Sequence, residues 1–151
     1  MGSVLSEARC YGARHMHRQS TVLLFLCAAG CLWRSYGTIM DVHLDVLTQT
    51  ADKLCSVVES GRGLSAEGMA EYVYPAQRAR EFMRQFSSYR DRRSFQQFSA
   101  LVERYDALVH EVDAARAQGR LGSEEAARLK AERDALQVAA SEIRALLKNG
   151  D

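Results

Sequence analysis

Histidines with nearby acidic residues are the side chains of this sequence that could most readily bind a metal ion. His43 lies between Asp41 and Asp45, and Asp106 precedes His110 by one helical turn. In di-iron helical bundles, however, the ligands come from Glu-x-x-His motifs on separate helices. The sequence contains no Glu-x-x-His motif. We therefore expect no metal site.

Motifs for covalent or phosphate chemistry are also missing. The sequence has no Cys-x-x-Cys-His for haem attachment, no Gly-x-Ser-x-Gly nucleophile elbow and no glycine-rich phosphate loop. Gly61-Arg62-Gly63 is interpreted as a turn that ends a helix. We expect no catalytic residues, no cofactor and no enzymatic activity.

Cys31 is preceded by three small residues, Ala28, Ala29 and Gly30. This segment resembles the lipobox of bacterial lipoproteins, in which a cysteine always follows the cleaved bond. The resemblance implies cleavage between Gly30 and Cys31 and a lipid, palmitate among its chains, on the Cys31 thiol. The family usually has leucine where this chain has Ala28. Cys27 is a poorer acceptor, because the preceding Leu26 and Phe25 are large.

The residues around this segment also favour an export signal. Arg14 and Arg18 precede an apolar run from Val22 to Ala29, as in a secretory leader. Arg34 ends the apolar stretch before it reaches the roughly 20 residues that cross a bilayer. The alternative is that residues 21–33 form a buried helix of a cytosolic bundle. Translation could begin at Met1 or at Met16.

Further along the chain, apolar residues recur at steps of three and four, which is typical of amphipathic helices. Capping residues divide this pattern into segments. The predicted segments begin at Thr38, with Asp41 completing a capping box; at Ser65; after a break or kink at Tyr74-Pro75; at Ser94, with Gln97 completing a capping box; and at Ser123.

The fold class predicted from this pattern is all-α, a small helical bundle ending in a long antiparallel helical hairpin. Abundant helix formers and a single proline favour helices over strands. The expected domains are residues 1–30 as N-terminal extension and signal peptide, 31–37 as a tether, and 38–151 as the helical bundle. After the predicted leader, the sequence contains two cysteines, Cys31 and Cys55. The apolar neighbours of Cys55 predict that its thiol lies in the core.

One surface feature stands out, a concentration of arginines around the end of the third segment. Six arginines face only Glu81 and Asp91 as acidic neighbours. Guanidinium groups can bind carboxylates or phosphates bidentately, so the cluster is a candidate anion-binding site. A solvated helix face with intrahelical ion pairs is the alternative. The six are Arg78, Arg80, Arg84, Arg90, Arg92 and Arg93.

The overall charge balance argues against nucleic acid as a partner. The chain has 20 basic and 19 acidic side chains, for a net charge of +1. General nucleic-acid binding depends on many clustered lysines and arginines that neutralise phosphates.

The functional hypothesis from sequence is a lipid-anchored bacterial envelope protein with a helical binding or scaffolding domain. Its partners would be the membrane, through the N-terminal lipid, and a protein partner or a second copy, through the hairpin Phe95 to Lys148. Leu32 after the cysteine implies the outer membrane, facing the periplasm; the inner membrane and the cell surface are alternatives. Two further hypotheses are a periplasmic ligand or metal carrier using His43 or His110, and an uncleaved signal-anchored membrane protein.

Overall fold

The computed structural model describes the backbone of residues 12–61 and 63–151 and the side chains of residues 36–61 and 63–151. This part of the chain contains four α-helices and no strand, so the predicted all-α class is confirmed. Two compact units are distinguished, Met1–Thr38 and Ile39–Asp151. The helices are α1 (Gly12–Glu59), α2 (Ala66–Gln85), α3 (Arg93–Ala117) and α4 (Ser123–Lys148), and a 3-10 turn, Ser87–Tyr89, lies between α2 and α3.

Within the unit Ile39–Asp151, each helix runs opposite to its neighbours. Tyr105 of α3 bonds to Tyr72 of α2, whereas Phe82, later in α2, contacts the earlier Phe98 of α3. From α3 to α4, Arg104 pairs with Glu132, whereas Glu111, later in α3, pairs with the earlier Arg128. From α4 back to α1, Arg144 pairs with Asp41 and Arg133 with Asp52. This up-down-up-down order is that of a four-helix bundle.

The core follows the spacing of the apolar residues in the sequence. On α1 the buried positions Met40, Leu44, Leu47, Ala51 and Leu54 recur at steps of three and four. The same spacing buries one side of α3 and of α4. The inward residues of the last two helices include Phe98, Leu101, Tyr105, Leu108, Val112, Leu129, Leu136, Ala140 and Ile143.

The predicted helix start at Thr38 is wrong. Tyr36 and Gly37 are already helical, and α1 continues through Thr38 without interruption. Asp41, the second member of the predicted capping box, instead accepts a hydrogen bond from Arg144 of α4 at 2.6 Å. The acidic residue therefore stabilises helix packing and not a helix end.

The predicted break at Tyr74-Pro75 is also wrong, because α2 is continuous with Pro75 inside it. An interior proline removes one helical hydrogen bond and costs about 3 kcal/mol in an isolated helix. Here Tyr72, Pro75, Ala76 and Ala79 are all buried. The Tyr105 hydroxyl also donates to the Tyr72 carbonyl oxygen in the turn before the proline, at 2.7 Å. Tertiary packing thus outweighs the local helix-breaking effect.

The start of α3 differs from the predicted capping box as well. The helix begins at Arg93, and Ser94 is buried inside its first turn. The backbone N–H of Ser94 donates to Oδ2 of Asp151 at 2.5 Å. This bond is the main cause that lowers the pKa of the Asp151 carboxyl. A residue distant in sequence therefore supplies the cap that Ser94 and Gln97 were expected to form.

Candidate functional site

The predicted lipidation and cleavage residues, Cys31 and Gly30, lie outside the residues whose side chains the structure describes. Both remain predictions from the sequence. Among the described residues, no helix is long and apolar enough to cross a membrane.

The six arginines divide into two groups in the structure. Arg78 pairs with Glu81 on its own helix at 2.7 Å, and Arg80 pairs with Asp106 of α3 at 2.6 Å. Arg90 approaches Asp91 only at 4.0 Å, where both side chains are well exposed. Such an exposed pair contributes little to stability. The first two arginines therefore have structural partners, whereas Arg90 is well exposed and only weakly paired.

The α2–α3 connection presents its arginines on an ordered backbone. Tyr89 N–H donates to the Phe86 carbonyl at 2.9 Å, and Arg92 N–H donates to the Tyr89 carbonyl at the same distance. The rings of Phe86 and Tyr89 are 6.1 Å apart, and Phe86 lies 4.9 Å from Phe82 of the core. The connection is thus fixed to the bundle. We name Arg84, Arg90, Arg92 and Arg93, all exposed, the basic end.

An open groove between α2 and α3 adjoins the basic end. Its volume is about 830 Å³. Met83 and Phe95 supply apolar surface, while Arg80, Arg84 and Ser99 supply polar groups. Arg84 forms no salt bridge with any residue that the structure describes. The groove therefore combines a small apolar floor with one available guanidinium.

The opposite end of the bundle has a different charge balance. Segment 84–93 of the chain carries four arginines against one aspartate. The two connections at the other end, in segments 59–67 and 116–125, together carry four glutamates against three arginines. The positive charge is therefore local to the α2–α3 connection, because Asp151, Asp41 and Asp45 add acidic groups at the same end of the bundle.

The residues considered for metal binding point in different directions. Arg144 of α4 binds both Asp41 and Asp45. His43 instead contacts Phe82 and Phe98, with ring centroids 5.1 and 6.4 Å apart. No group of three or more potential metal ligands occurs among the described residues. The carboxylates beside His43 in sequence thus serve helix packing.

His110 is far from His43 and has a different environment. Its Nε2 lies 3.6 Å from Oδ2 of Asp106, and its side chain is 70% exposed. Asp106 is already paired with Arg80. Because α1 and α3 run in the same direction and His43 lies beside Phe98, the two histidines are about 18 Å apart along the bundle, at 1.5 Å per residue.

Cys55 occupies the core position that the sequence predicts. The thiol is buried and donates to the Leu129 carbonyl oxygen at 3.5 Å. Burial raises the pKa of Cys55 to about 11. Thiolate, the reactive form, is therefore scarce at neutral pH.

His43 makes the stability of the bundle depend on pH. Burial, and secondarily the positive charge of Arg78, lowers the pKa of His43 below its ordinary value of 6.5. At pH values near and below 6.5 the unfolded chain therefore binds more protons than the folded chain. The free energy of unfolding consequently falls as pH drops below about 6.5. We expect His43→Leu to reduce this loss between about pH 7 and pH 5 in denaturant titrations.

The matched control for this pH effect is His110→Gln, because His110 is largely exposed. We expect His110→Gln to keep the wild-type loss of stability on acidification. An equally steep loss of stability on acidification in the His43→Leu protein would contradict the assignment of the pH effect to His43.

The hydroxyl of Tyr105 is the buried polar group that sequence analysis missed. Its bond to the Tyr72 carbonyl joins α3 to α2. Burial is also the largest cause of the raised pKa of this phenol. We expect Tyr105→Phe to lower the free energy of unfolding by about 1–2 kcal/mol, because a buried carbonyl loses a partner. Tyr74→Phe, at a position with 58% exposure, should change the denaturation midpoint very little. Equal effects of the two substitutions would rule out this role.

The interhelical ion pairs were likewise not predicted. Arg104–Glu132, Arg128–Glu111 and Arg144–Asp41 each join residues on different helices. Helical periodicity shows which residues are outward, but it does not show which outward residues of two helices meet.

No family model, curated protein or solved structure matches this chain.

Proposed function

We propose that this chain is a lipid-anchored protein of the bacterial envelope whose four-helix bundle acts by binding. The observation that carries the proposal is the segment Ala28-Ala29-Gly30-Cys31, which follows a basic flank and a short apolar run. Two or three acyl chains on one residue make a durable anchor, since each buried CH₂ contributes about 0.8 kcal/mol. By the same resemblance, Leu32 favours the outer membrane and the periplasmic side.

The apolar stripes of α3 and α4 are not available to a partner of the closed bundle. The apolar stripes of α3 and α4 lie inside the bundle, with Leu129, Leu136 and Ile143 each at most 1% exposed. A second copy could use these stripes only if the bundle opened. A partner of the closed bundle would meet its outer faces, of which the basic end is the most distinctive.

Fractionation of the native envelope tests the proposal. We expect the protein to sediment with membranes, to resist extraction by high salt and to enter the detergent-rich phase after solubilisation. Release by salt alone would indicate a peripheral protein without a lipid, and recovery in the soluble fraction would contradict the proposal.

A further inference from the structure

The groove between α2 and α3 carries opposite charges at its two ends. Arg84 and Glu103 both line the groove, and both side chains are exposed. Neither forms a salt bridge with a residue that the structure describes. The third charged residue of the lining, Arg80, is paired with Asp106 at 2.6 Å. The groove therefore holds one cation and one anion that are not neutralised within the described part of the chain.

The packing of α2 against α3 sets the separation of these two charges. Phe82 of α2 meets Phe98 of α3, with ring centroids 5.6 Å apart. Arg84 follows Phe82 towards the α2–α3 connection, whereas Glu103 follows Phe98 in the opposite direction along the bundle. At 1.5 Å per residue, the backbone positions of Arg84 and Glu103 are about 10 Å apart along the groove.

This arrangement of charges is complementary to itself. A twofold axis can run across this face of the bundle, at right angles to the helices and midway between Arg84 and Glu103. It packs the face against its copy and reverses the groove end for end. Arg84 of each copy then lies at the level of Glu103 of the other. Because a twofold interface repeats each contact, two ion pairs form and both charges gain a partner.

The size and lining of the face fit a weak dimer. Between and beside the two charges the lining consists of partly exposed side chains that include Met83, Phe95 and the small Ser99. Helix α2 has 20 residues and is about 30 Å long. Two adjacent helices are about 20 Å wide, so the face measures roughly 600 Å², somewhat less than the 800 Å² or so that each partner buries in a standard interface.

We propose that the α2–α3 groove is the contact surface of a twofold-symmetric homodimer, held by reciprocal Arg84–Glu103 ion pairs between the copies. The inference rests on the proposed binding role of the bundle, for which it names a second copy of the chain as partner. It uses only contacts within the unit Ile39–Asp151 and does not depend on a lipid at Cys31.

Sedimentation equilibrium of the full chain tests the dimer. Each protein carries Cys31→Ala, so that no acyl chain contributes, and is kept in a density-matched detergent that solvates the apolar N-terminal segment. The test variants are R84E, E103R and the double variant R84E/E103R, in which the opposite charges are restored with their positions exchanged. K130E and E142K are the matched controls, because they reverse one exposed charge of each sign on α4.

We expect the parent to dimerise with a dissociation constant in the micromolar range. Each single reversal in the groove should raise that constant at least about tenfold, because two like-charged contacts replace two ion pairs. The double variant and both controls should stay within about threefold of the parent. Circular dichroism should show that all the variants are as helical as the parent.

Three results would overturn the inference. A parent that is monomeric throughout the micromolar range would leave the groove to a partner of another kind. A dimer that the single reversals do not weaken would show that the copies meet elsewhere. A double variant as weak as the single variants would show that the two charges do not meet.

The dimer and the lipid anchor fail separately. An unacylated wild-type protein would contradict the anchor and leave the dimer measurable. An acylated protein whose Cys31→Ala form is monomeric would contradict the dimer alone.

Discussion

Replacement of Phe98 by alanine is expected to lower the free energy of unfolding by about 3–5 kcal/mol. The Phe98 side chain is fully buried and meets the Phe82 ring edge to face, with centroids 5.6 Å apart. It also contacts His43 of α1. One ring therefore joins three helices, and its removal leaves a cavity in addition to the lost apolar transfer energy. Denaturant-induced unfolding followed by circular dichroism measures the change.

A matched control separates this effect from a general loss of aromatic surface. Tyr74 of α2 is 58% exposed. We expect Tyr74→Ala to change the free energy of unfolding by no more than about 0.5 kcal/mol. A Phe98→Ala protein that loses less than about 1 kcal/mol would show that the ring does not lie at the centre of the core.

Replacement of Cys31 by alanine is expected to abolish acylation and to move the protein out of the detergent-rich phase. The thiol is the proposed acceptor of the lipid, and alanine offers no nucleophile in its place. Without the acyl chains, the roughly 0.8 kcal/mol per buried CH₂ that holds the anchor in the bilayer is lost. Metabolic labelling with palmitate, read on the immunoprecipitated protein, should fall to background.

Cys27→Ala is the control for the lipid acceptor, because Cys27 lies only four residues before Cys31 in the sequence. It should incorporate palmitate as the wild-type protein does. Loss of label in Cys27→Ala with normal labelling of Cys31→Ala would move the acceptor to Cys27. Normal labelling of both variants would show that neither thiol is the sole acceptor, which contradicts the assignment to Cys31.

The helical class and most buried faces could be predicted because they depend on local spacing. Leu44, Leu47 and Leu54 recur as one side of a helix requires, and all three are buried. Ser65 was correctly predicted as a helix cap, and its hydroxyl accepts from Gly68 N–H at 3.0 Å. Gly61 ends α1 with a positive φ of 63°, a conformation that favours glycine.

The incorrect predictions share one cause, which is that a contact distant in sequence replaced a local one. Pro75 stays inside α2 where the surrounding residues pack in the core. Ser94 lies in a first turn that Asp151 caps. Local capping and helix-breaking rules contain no information about residues that fold back onto a helix end.

The candidate anion site likewise combines features that local sequence predicts with features that depend on contacts distant in sequence. The density of arginines in the sequence identified the six candidates but could not show which of them pair with another helix. The fold assigns Arg80 to Asp106, and Arg78 pairs with Glu81, which intrahelical spacing could have suggested. It also brings the α2–α3 connection to the end at which the chain enters the bundle, which no local pattern indicates.

The intact mass of the wild-type protein, purified from its native membrane, tests the lipid anchor most directly. The account predicts a chain that begins at Cys31 and whose mass exceeds that of residues 31–151 by a diacylglyceryl group, with or without a further acyl chain on the new N-terminus. A mass equal to the unmodified full chain, or to a product that begins at any other residue, would contradict it.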